Sequence, residues 1–189
     1  GLLVGGALAL AGAVMQGVFS NPLADPGIMG VSAGASLGAV IAIALGFTSL
    51  GMFYMPAFAF VGAFVSVGIT ILLTLRNNKL DTTTLLLAGV AVSMLLGAFT
   101  SGILTMINEY RLREFLFWMV GGLDFRRWDH VLLAVGPIMT GSVILMMLGR
   151  HLNVLVLGDT EARALGVPVM VYRMLFLFLS SVITATAVC

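Results

Sequence analysis

The stretch Asn21-Pro22-Leu23-Ala24-Asp25-Pro26-Gly27 decides how this chain folds, because it places two prolines between two long apolar runs. The residue before a proline is pushed out of the α-helical region, so Asn21 and Asp25 both disfavour a continuous helix. The run on each side is apolar enough to enter a bilayer. The pattern therefore predicts the loop of a membrane hairpin, with the rest of the chain packed around it.

The composition excludes most soluble classes of protein. Of the 189 residues, 60% are hydrophobic and 9% are charged, which is far outside the usage of soluble globular domains. A net charge of +1 gives no indication of a nucleic-acid partner, and the single cysteine excludes an internal disulfide or a thiolate metal cage. The sequence predicts an integral membrane protein. Since Gly1 and Cys189 both lie within apolar runs, we expect a single membrane domain over 1–189 that is truncated at both ends.

Apolar runs of about 20 residues match the length needed to cross a hydrocarbon core of about 30 Å. Six such runs are present, at 1–19, 27–47, 52–75, 83–107, 131–149 and 169–189. We expect all of them to be helices, since a closed barrel would need short alternating strands. The aromatic and charged segment 108–130 favours a short helix at the outer membrane interface, ended by Gly121-Gly122. The predicted fold class is all-α, a polytopic transmembrane bundle of about six spans.

Small residues recur at every fourth position in four of these runs, which places each set on one helix face where backbones can approach closely. The sets are Gly5, Ala9, Ala13 and Gly17; Gly30, Gly34, Gly38, Ala42 and Gly46; Gly62, Ser66, Thr70 and Thr74; and Gly89, Ser93, Gly97 and Ser101. For any single set, the general abundance of glycine and alanine in membrane helices is an equal explanation. Together they predict a tightly packed bundle, with packing glycines at Gly30, Gly34, Gly38, Gly89 and Gly97.

The sequence gives little support to an enzyme. Gly30-Val31-Ser32-Ala33-Gly34 matches the G-x-S-x-G nucleophile pattern, but a serine nucleophile needs a base within hydrogen-bond reach. The two histidines, His130 and His151, flank the fifth run on opposite sides of the membrane. An intramembrane hydrolase stays open as an alternative that would need catalytic groups from elsewhere.

The chain also lacks a phosphate-binding loop of the G-x-x-x-x-G-K-[ST] type, because its single lysine, Lys79, follows Asn78. We therefore expect it to bind no ATP and, with so few histidines and cysteines, no metal. Charges within the spans are lacking, which leaves a proton relay of buried carboxylates without support. An ion-coupled secondary transporter stays open as a second alternative.

A second informative segment, 157–168, has the features of a short capped helix. Asp159 is a candidate N-cap, and Glu161 falls in the first turn, where the helix dipole favours negative charge. Gly166 and Pro168 then end the helix after about two turns, too few to span a membrane. The segment is either an ordinary loop helix or a rigid knob offered to a partner at the membrane surface.

Motifs far apart in the chain point to one family. Gln16-Gly17, followed by the stretch from Asn21 to Ala35, resembles the signature of the FecCD/BtuC-type permeases. These are the membrane subunits of type II ABC importers for iron–siderophore, haem and cobalamin. Three later segments resemble further parts of that family, the last one its coupling helix: Leu86-Leu87-Ala88-Gly89-Val90, Phe117-Trp118-Met119-Val120-Gly121-Gly122 and the decapeptide from Gly158 to Val167. The resemblance covers the whole chain in the family's order.

The resemblance implies a permease of ten helices, of which the six runs would be helices two to seven. It also implies the partners: a second permease subunit in a homo- or heterodimer, two ATP-binding subunits on the cytoplasmic side, and an extracytoplasmic substrate-binding protein. ATP would be used by the partner subunits alone, and this chain would bind no cofactor. The implied location is the cytoplasmic membrane of a bacterium or archaeon.

Site residues follow from the resemblance position by position. The cytoplasmic gate would include Asn21, Pro22 and Leu23 from the hairpin loop, and Thr82 and Thr83 from the start of the fourth run. The contact with the ATP-binding subunit would be made by the coupling helix, Gly158, Asp159, Thr160, Glu161, Ala162, Arg163, Ala164, Leu165 and Gly166. The implied mechanism is alternating access driven by ATP. Siderophore, haem and cobalamin remain equivalent as substrates.

Overall fold

The computed structural model describes residues 1–75, 81–123 and 127–189, and within these ranges the chain is helical and contains no strand. The described residues form nine α-helices: α1 (Leu2–Phe19), α2 (Val31–Ala44), α3 (Tyr54–Thr74), α4 (Thr82–Met106), α5 (Glu109–Val120), α6 (Trp128–Met147), α7 (Gly149–Val156), α8 (Asp159–Ala164) and α9 (Val169–Val188). Two 3₁₀ turns, Pro26–Met29 and Phe47–Leu50, flank α2. Lys79, whose position excluded a phosphate-binding loop, lies outside the described residues.

The predicted all-α membrane bundle is confirmed. Five helices, α1, α3, α4, α6 and α9, are long and apolar enough to cross a membrane. The second predicted run differs, because α2 has only 14 residues, or about 21 Å at 1.5 Å per residue. Glycines at both ends of α2, Gly30 with φ 82° and Gly46 with φ 77°, adopt the left-handed conformation that ends a helix. The six apolar runs therefore correspond to five long helices and one short one.

Helix α9 lies at the centre of the bundle. Of its most apolar 18 residues, 56% are buried, against 33% or less in each of the other four long helices. It contacts α1, α2, α3, α6, α7, α8 and the turn Pro26–Met29. A change in the position of α9 would therefore affect almost every other span.

Helix α5 is the short helix predicted after the fourth run. Its N-cap is Asn108, whose Oδ1 accepts a hydrogen bond from the Arg111 N–H at 3.0 Å, and it ends at Gly121, with φ 67°. The Arg111 guanidinium donates a hydrogen bond of 2.8 Å to the carbonyl of Ala44, the last residue of α2. A cation at a helix C-terminus satisfies a free carbonyl and opposes the helix dipole. This contact fixes α5 against the end of α2 that is opposite the proline-rich loop.

The small-residue sets of the second and third runs pack against each other. A Cβ atom added at Gly34 would lie 2.3 Å from the Gly62 carbonyl oxygen, and one added at Gly38 would lie 2.1 Å from the carbonyl oxygen of Phe58. The contact is reciprocal, since a Cβ atom at Gly62 would lie 2.2 Å from the Gly34 oxygen. Helices α2 and α3 thus approach backbone to backbone, a distance that only glycine permits.

Three of the four residues of the set in α1 lie on the wrong face for this role. Gly5, Ala9 and Ala13 are exposed, whereas the buried side of α1 is formed by other residues, Ala7, Ala11, Val14, Met15, Val18 and Phe19. Because α1 is apolar on all sides, spacing alone did not identify its inner face. Gly97 in α4 also departs from the prediction: within the described part of the chain, nothing lies within 4 Å of its Cβ position.

Candidate functional site

The loop that follows α1 is built by local hydrogen bonds. Ser20 adopts the left-handed conformation, with φ 48°, and its N–H donates to the Gly17 carbonyl while the N–H of Asn21 donates to that of Gln16. This pair of bonds is the Schellman ending of a helix, normally made by glycine. Ser20 was not predicted as the helix end, because serine seldom takes this conformation.

The candidate gate residue Asn21 has a structural role in the loop. Its Oδ1 accepts a hydrogen bond of 2.9 Å from the N–H of Leu23, and its carbonyl accepts one of 3.0 Å from the N–H of Ala24. These bonds form a turn of the kind asparagine favours. Ala24 is buried, whereas Pro22 is exposed and Leu23 has 84% of its surface exposed. The loop therefore presents Leu23 outward on a turn held by Asn21.

Asp25 opens the next turn. Its backbone is extended, with φ −125° and ψ 144°, as expected before a proline, and its Oδ1 accepts a hydrogen bond of 2.6 Å from the N–H of Gly27. The turn ends at Gly30, and a Cβ atom there would lie 2.3 Å from Ser66 Oγ on α3. Thr70, also on α3, donates a hydrogen bond of 3.2 Å to the carbonyl of Met29. Thus α3 holds the far side of the loop.

The first turn of α4 lies at the same end of the bundle. The turn Pro26–Met29 rests on α4 at Gly89, whose Cβ position is 2.0 Å from the Ile28 carbonyl oxygen. Thr82 and Thr83 are the first two residues of α4, and Thr83 is exposed. The loop carrying Asn21, Pro22 and Leu23 and the helix that starts with Thr82 are therefore joined through Ile28 and Gly89.

Asp81 is the N-cap of α4. Its Oδ2 accepts hydrogen bonds from the Thr84 hydroxyl at 2.7 Å and from the Thr84 N–H at 2.8 Å. These two bonds, the hydroxyl first, hold the pKa of Asp81 below its ordinary value. The sequence signal for this cap is an aspartate three residues before a threonine at the start of an apolar run.

The predicted coupling segment folds as α8, but its N-terminus is different from the prediction. The N-cap is Gly158, with φ 118°, and no side chain caps the helix. Asp159 is instead the first helical residue, and its carboxylate is turned toward α9. A Cβ atom at Gly158 would lie 2.6 Å from Glu161 Oε2, so a larger residue would meet the Glu161 carboxylate.

The C-terminus of α8 follows the prediction. Gly166 is left-handed, with φ 79°, and its N–H donates to the Arg163 carbonyl while the N–H of Val167 donates to the Ala162 carbonyl. These are the two bonds of the Schellman motif. The predicted glycine stop is confirmed.

Helix α8 has one buried residue and a broad exposed face. Ala162 is fully buried at 0% exposure and is part of the main apolar core. The exposed residues are Thr160, Glu161, Arg163, Ala164, Leu165 and Gly166. The helix thus offers both charge signs and one apolar side chain, Leu165, on a short rigid element.

The buried charge of Arg173 contradicts the expectation that the spans carry no charge. It lies in α9, and only 8% of its side chain is exposed. Its Nη2 is 2.6 Å from Asp159 Oδ1, and its Nη1 is 3.4 Å from Asp159 Oδ2. A lone arginine in an apolar run is itself a signal for a paired functional group.

Neighbouring contacts tie α7 to the same region. The ring of His151 on α7 stacks on Tyr172 of α9, with centroids 4.1 Å apart. Leu152 of α7 lies against Gly17 of α1, whose Cβ position is 3.0 Å from Leu152 Cδ1. Helices α7 and α8 are therefore seated on α1 and α9, beside the loop at 20–30.

No metal site accompanies this arrangement in the part of the chain that the structure describes, where no group of three or more His, Cys, Asp or Glu side chains could hold an ion.

Gly97 of α4 borders a cleft of about 260 Å³ between α2, α4 and α5. The lining of the cleft includes the polar residues Ser36, Thr100 and Ser101.

Comparisons with known proteins agree on one family. The sequence model of the FecCD transport family matches residues 1–189. The cobalamin import system permease protein BtuC of Halobacterium salinarum is 42% identical over 189 residues, which is 100% of this chain and 50% of that protein. An uncharacterised ABC transporter permease protein of Bacillus subtilis, YvrB, is 36% identical over 98% of this chain and 53% of its own length. The chain spans about half the length of these curated relatives.

The structural comparison agrees with these matches. A solved structure of a metal-chelate type ABC transporter in an inward-facing conformation superposes with a TM-score of 0.92 and 33% sequence identity. The similarity covers 99% of this chain and 59% of that one. The helix arrangement described above is therefore also found in that transporter.

Proposed function

The chain belongs to the FecCD transport family, and from this premise we propose that it is part of the permease subunit of a binding-protein-dependent ABC importer. The multi-pass helical bundle supports a role as membrane component of a transporter. The proposed complex contains a second permease subunit, two ATP-binding subunits and an extracytoplasmic binding protein, in the cytoplasmic membrane of a bacterium or archaeon. ATP hydrolysis belongs to the partner, and this chain binds no cofactor.

The observation that carries the proposal is the form of α8. Its six residues, Asp159–Ala164, are too few to span a bilayer, yet both ends are fixed by glycines and its inner side is buried at Ala162. A short helix held in this way can receive a force from a partner and pass it on. Its exposed residues Glu161 and Arg163 supply charges for recognition of the ATP-binding subunit.

The proposed gate is the loop carrying Asn21, Pro22 and Leu23 together with Thr82 and Thr83 at the start of α4. Support comes from the exposed Leu23 and from the contact between Ile28 and Gly89, which makes the loop and α4 move together. In this mechanism, ATP-driven closure of the partner subunits moves α8, and the resulting tilt of the helices switches the loop between open and closed positions.

The proposed substrate is cobalamin or an iron chelate, either a siderophore or haem. Support for cobalamin is the 42% identity to a permease named for cobalamin import, and support for a metal chelate is the similar transporter structure. Uptake into proteoliposomes of cobalamin, haem and ferric siderophores, measured with the full-length permease and its partners, separates these substrates. ATP-independent uptake that follows an ion gradient would instead indicate a secondary transporter.

Charge reversal on the exposed face of α8 tests the coupling role. In the full-length protein, we expect Glu161→Lys and Arg163→Glu to reduce ATP-dependent uptake more than about tenfold, because like charges placed across an interface cost several kcal/mol. Membrane insertion is unchanged, since both side chains are exposed. Co-purification of the ATP-binding subunit measures the lost contact. Normal uptake by both variants would contradict the assignment of α8.

A further inference from the structure

The ion pair between Asp159 and Arg173 differs from the other ion pairs of the described residues. Arg173 has 8% of its side chain exposed and Asp159 has 45%. The pairs Arg113–Glu109 and Arg127–Asp129 have more than half of every side chain exposed. Exposed pairs contribute little, whereas a buried charge is costly unless it is paired. The position of Asp159 is therefore strongly determined by Arg173.

We propose that the Asp159–Arg173 ion pair is the joint through which movement of α8 is transmitted to α9, so that Asp159 is a positioning residue and not a docking residue. This inference rests on the proposed function of α8 as the contact with an ATP-binding subunit. It divides the predicted coupling segment into two parts. Glu161 and Arg163 face the partner, and Asp159 faces inward.

The geometry of the pair suits a joint that carries force. A guanidinium is planar, and its two nitrogens contact the two oxygens of one carboxylate, which fixes orientation as well as distance. An apolar contact such as the one at Ala162 resists compression but slides easily, whereas two directed hydrogen bonds also resist sliding. Helix α8 and the first turns of α9 are thereby held as one body.

From Arg173 the path continues toward the proposed gate. Helix α9 contacts the turn Pro26–Met29, which rests on α4 at Gly89. The charge of Arg173 also reaches the N-cap of α4, where it is a minor cause of the lowered pKa of Asp81, after the Thr84 hydrogen bonds.

The test uses the full-length permease assembled with its ATP-binding subunits and binding protein in proteoliposomes. The measured quantity is uptake of cobalamin, haem or ferric siderophore per ATP hydrolysed. The test variants are Asp159→Asn and Arg173→Met, of which the second replaces a buried charge by an apolar chain of similar length. The matched control is the exposed pair on α5, changed by Glu109→Gln and Arg113→Met.

We expect each test variant to lower uptake per ATP by about fivefold or more, the lower range of measured coupling between sites. Co-purification of the ATP-binding subunit stays at the wild-type level, because the exposed face of α8 is intact. The double variant is no worse than either single one, since both remove the same link. Arg173→Lys keeps the positive charge but loses the planar pair of nitrogen donors. We therefore expect it to retain more of the wild-type ratio of uptake to ATP hydrolysed than Arg173→Met does. The α5 control keeps the wild-type ratio.

The outcomes separate this inference from the function on which it rests. If the wild-type assembly neither retains an ATP-binding subunit nor takes up any of the three chelates, the proposed function is wrong. If the wild-type assembly transports normally and the Asp159→Asn variant keeps the wild-type ratio of uptake to ATP hydrolysed, the inference about the ion pair is wrong and the proposed function stands. Loss of ATP-binding subunit from Asp159→Asn would also overturn the joint, because it would make Asp159 a docking residue. Should Arg173→Met fail to insert, Asp159→Asn decides, since Asp159 is half exposed.

Discussion

The glycine sets of α2 and α4 look the same in the sequence but have different surroundings in the structure. In α2, Gly34 and Gly38 lie against the backbone of α3, and eight of the 14 helical residues are buried. In α4, Gly89 lies against the turn Pro26–Met29, but no atom of the described residues lies within 4 Å of the Gly97 Cβ position, and five of the 25 helical residues are buried. Equal spacing therefore does not mean equal packing.

Helix geometry explains the difference. A step of four residues turns an α-helix by about 400°, so a set with this spacing drifts by about 40° at each step. The buried residues of α4 instead follow a mixture of three- and four-residue steps: Leu85, Gly89, Val92, Leu96 and Thr100. Gly97 is about 80° away from Gly89 and leaves this narrow face. Helix α2 tolerates the drift because α3, α4, α5 and α9 surround it.

The largest expected effect is at the α2–α3 contact. Gly38→Leu places a branched side chain where even a Cβ atom would lie 2.1 Å from the Phe58 carbonyl oxygen. Since that atom belongs to the backbone, the two helices must separate. We expect a loss of about 4 kcal/mol or more in unfolding free energy. The thermal unfolding midpoint of the full-length protein in detergent measures it, with Gly97→Leu as the matched control. Equal unfolding midpoints for Gly38→Leu and Gly97→Leu would contradict the difference in packing between α2 and α4.

A smaller effect is expected where α4 meets the loop. Gly89→Ala adds one methyl group at a position 2.0 Å from the Ile28 carbonyl oxygen, so the turn Pro26–Met29 has to shift. Overpacking of this size costs about 1–3 kcal/mol. Because the same turn joins the proposed gate loop to α4, we expect uptake to fall as well as stability. Unfolding in detergent and chelate uptake in proteoliposomes check the two parts, and a wild-type midpoint would show that the turn is not seated on α4.

Much of the fold could be predicted because membrane helices leave strong signals. The double proline of 21–27 separated α1 from α2, and the long apolar runs identified all five long helices. The shortness of α2 does not follow from spacing, because Gly30 and Gly46 fit a set of packing residues although their left-handed backbone bounds the helix at its two ends. Spacing cannot distinguish a packing glycine from one that bounds a helix, and Gly30 has both roles, since it is left-handed and its Cβ position lies 2.3 Å from Ser66 Oγ.

The candidate site was less predictable, because its geometry depends on residues distant in sequence. The position of α8 and its stop at Gly166 followed from local capping rules. The ion-pair partner of Asp159 could not be predicted from these rules, because Arg173 lies 14 residues further on, inside an apolar run that was expected to carry no charge. Local rules assigned Asp159 to a helix cap, whereas the cost of burying Arg173 without a counter-charge decides its orientation.

The smallest expected effect is at Gly97 and tests what covers the outer face of α4. A Cβ atom there meets nothing within 4 Å among the described residues, so Gly97→Ala removes the conformational cost of a helical glycine without a clash. We expect the isolated full-length permease to gain up to about 1 kcal/mol. In the proposed assembly with a second permease subunit, we expect the same variant to weaken the contact between the subunits, because the added methyl group narrows the cleft lined by Ser36 and Ser101. A gain in stability for the isolated subunit together with a weaker subunit dimer would place a partner helix on this face. A loss of stability in the isolated subunit would mean that its own chain covers Gly97. The difference in packing between the glycine sets of α2 and α4 would then disappear.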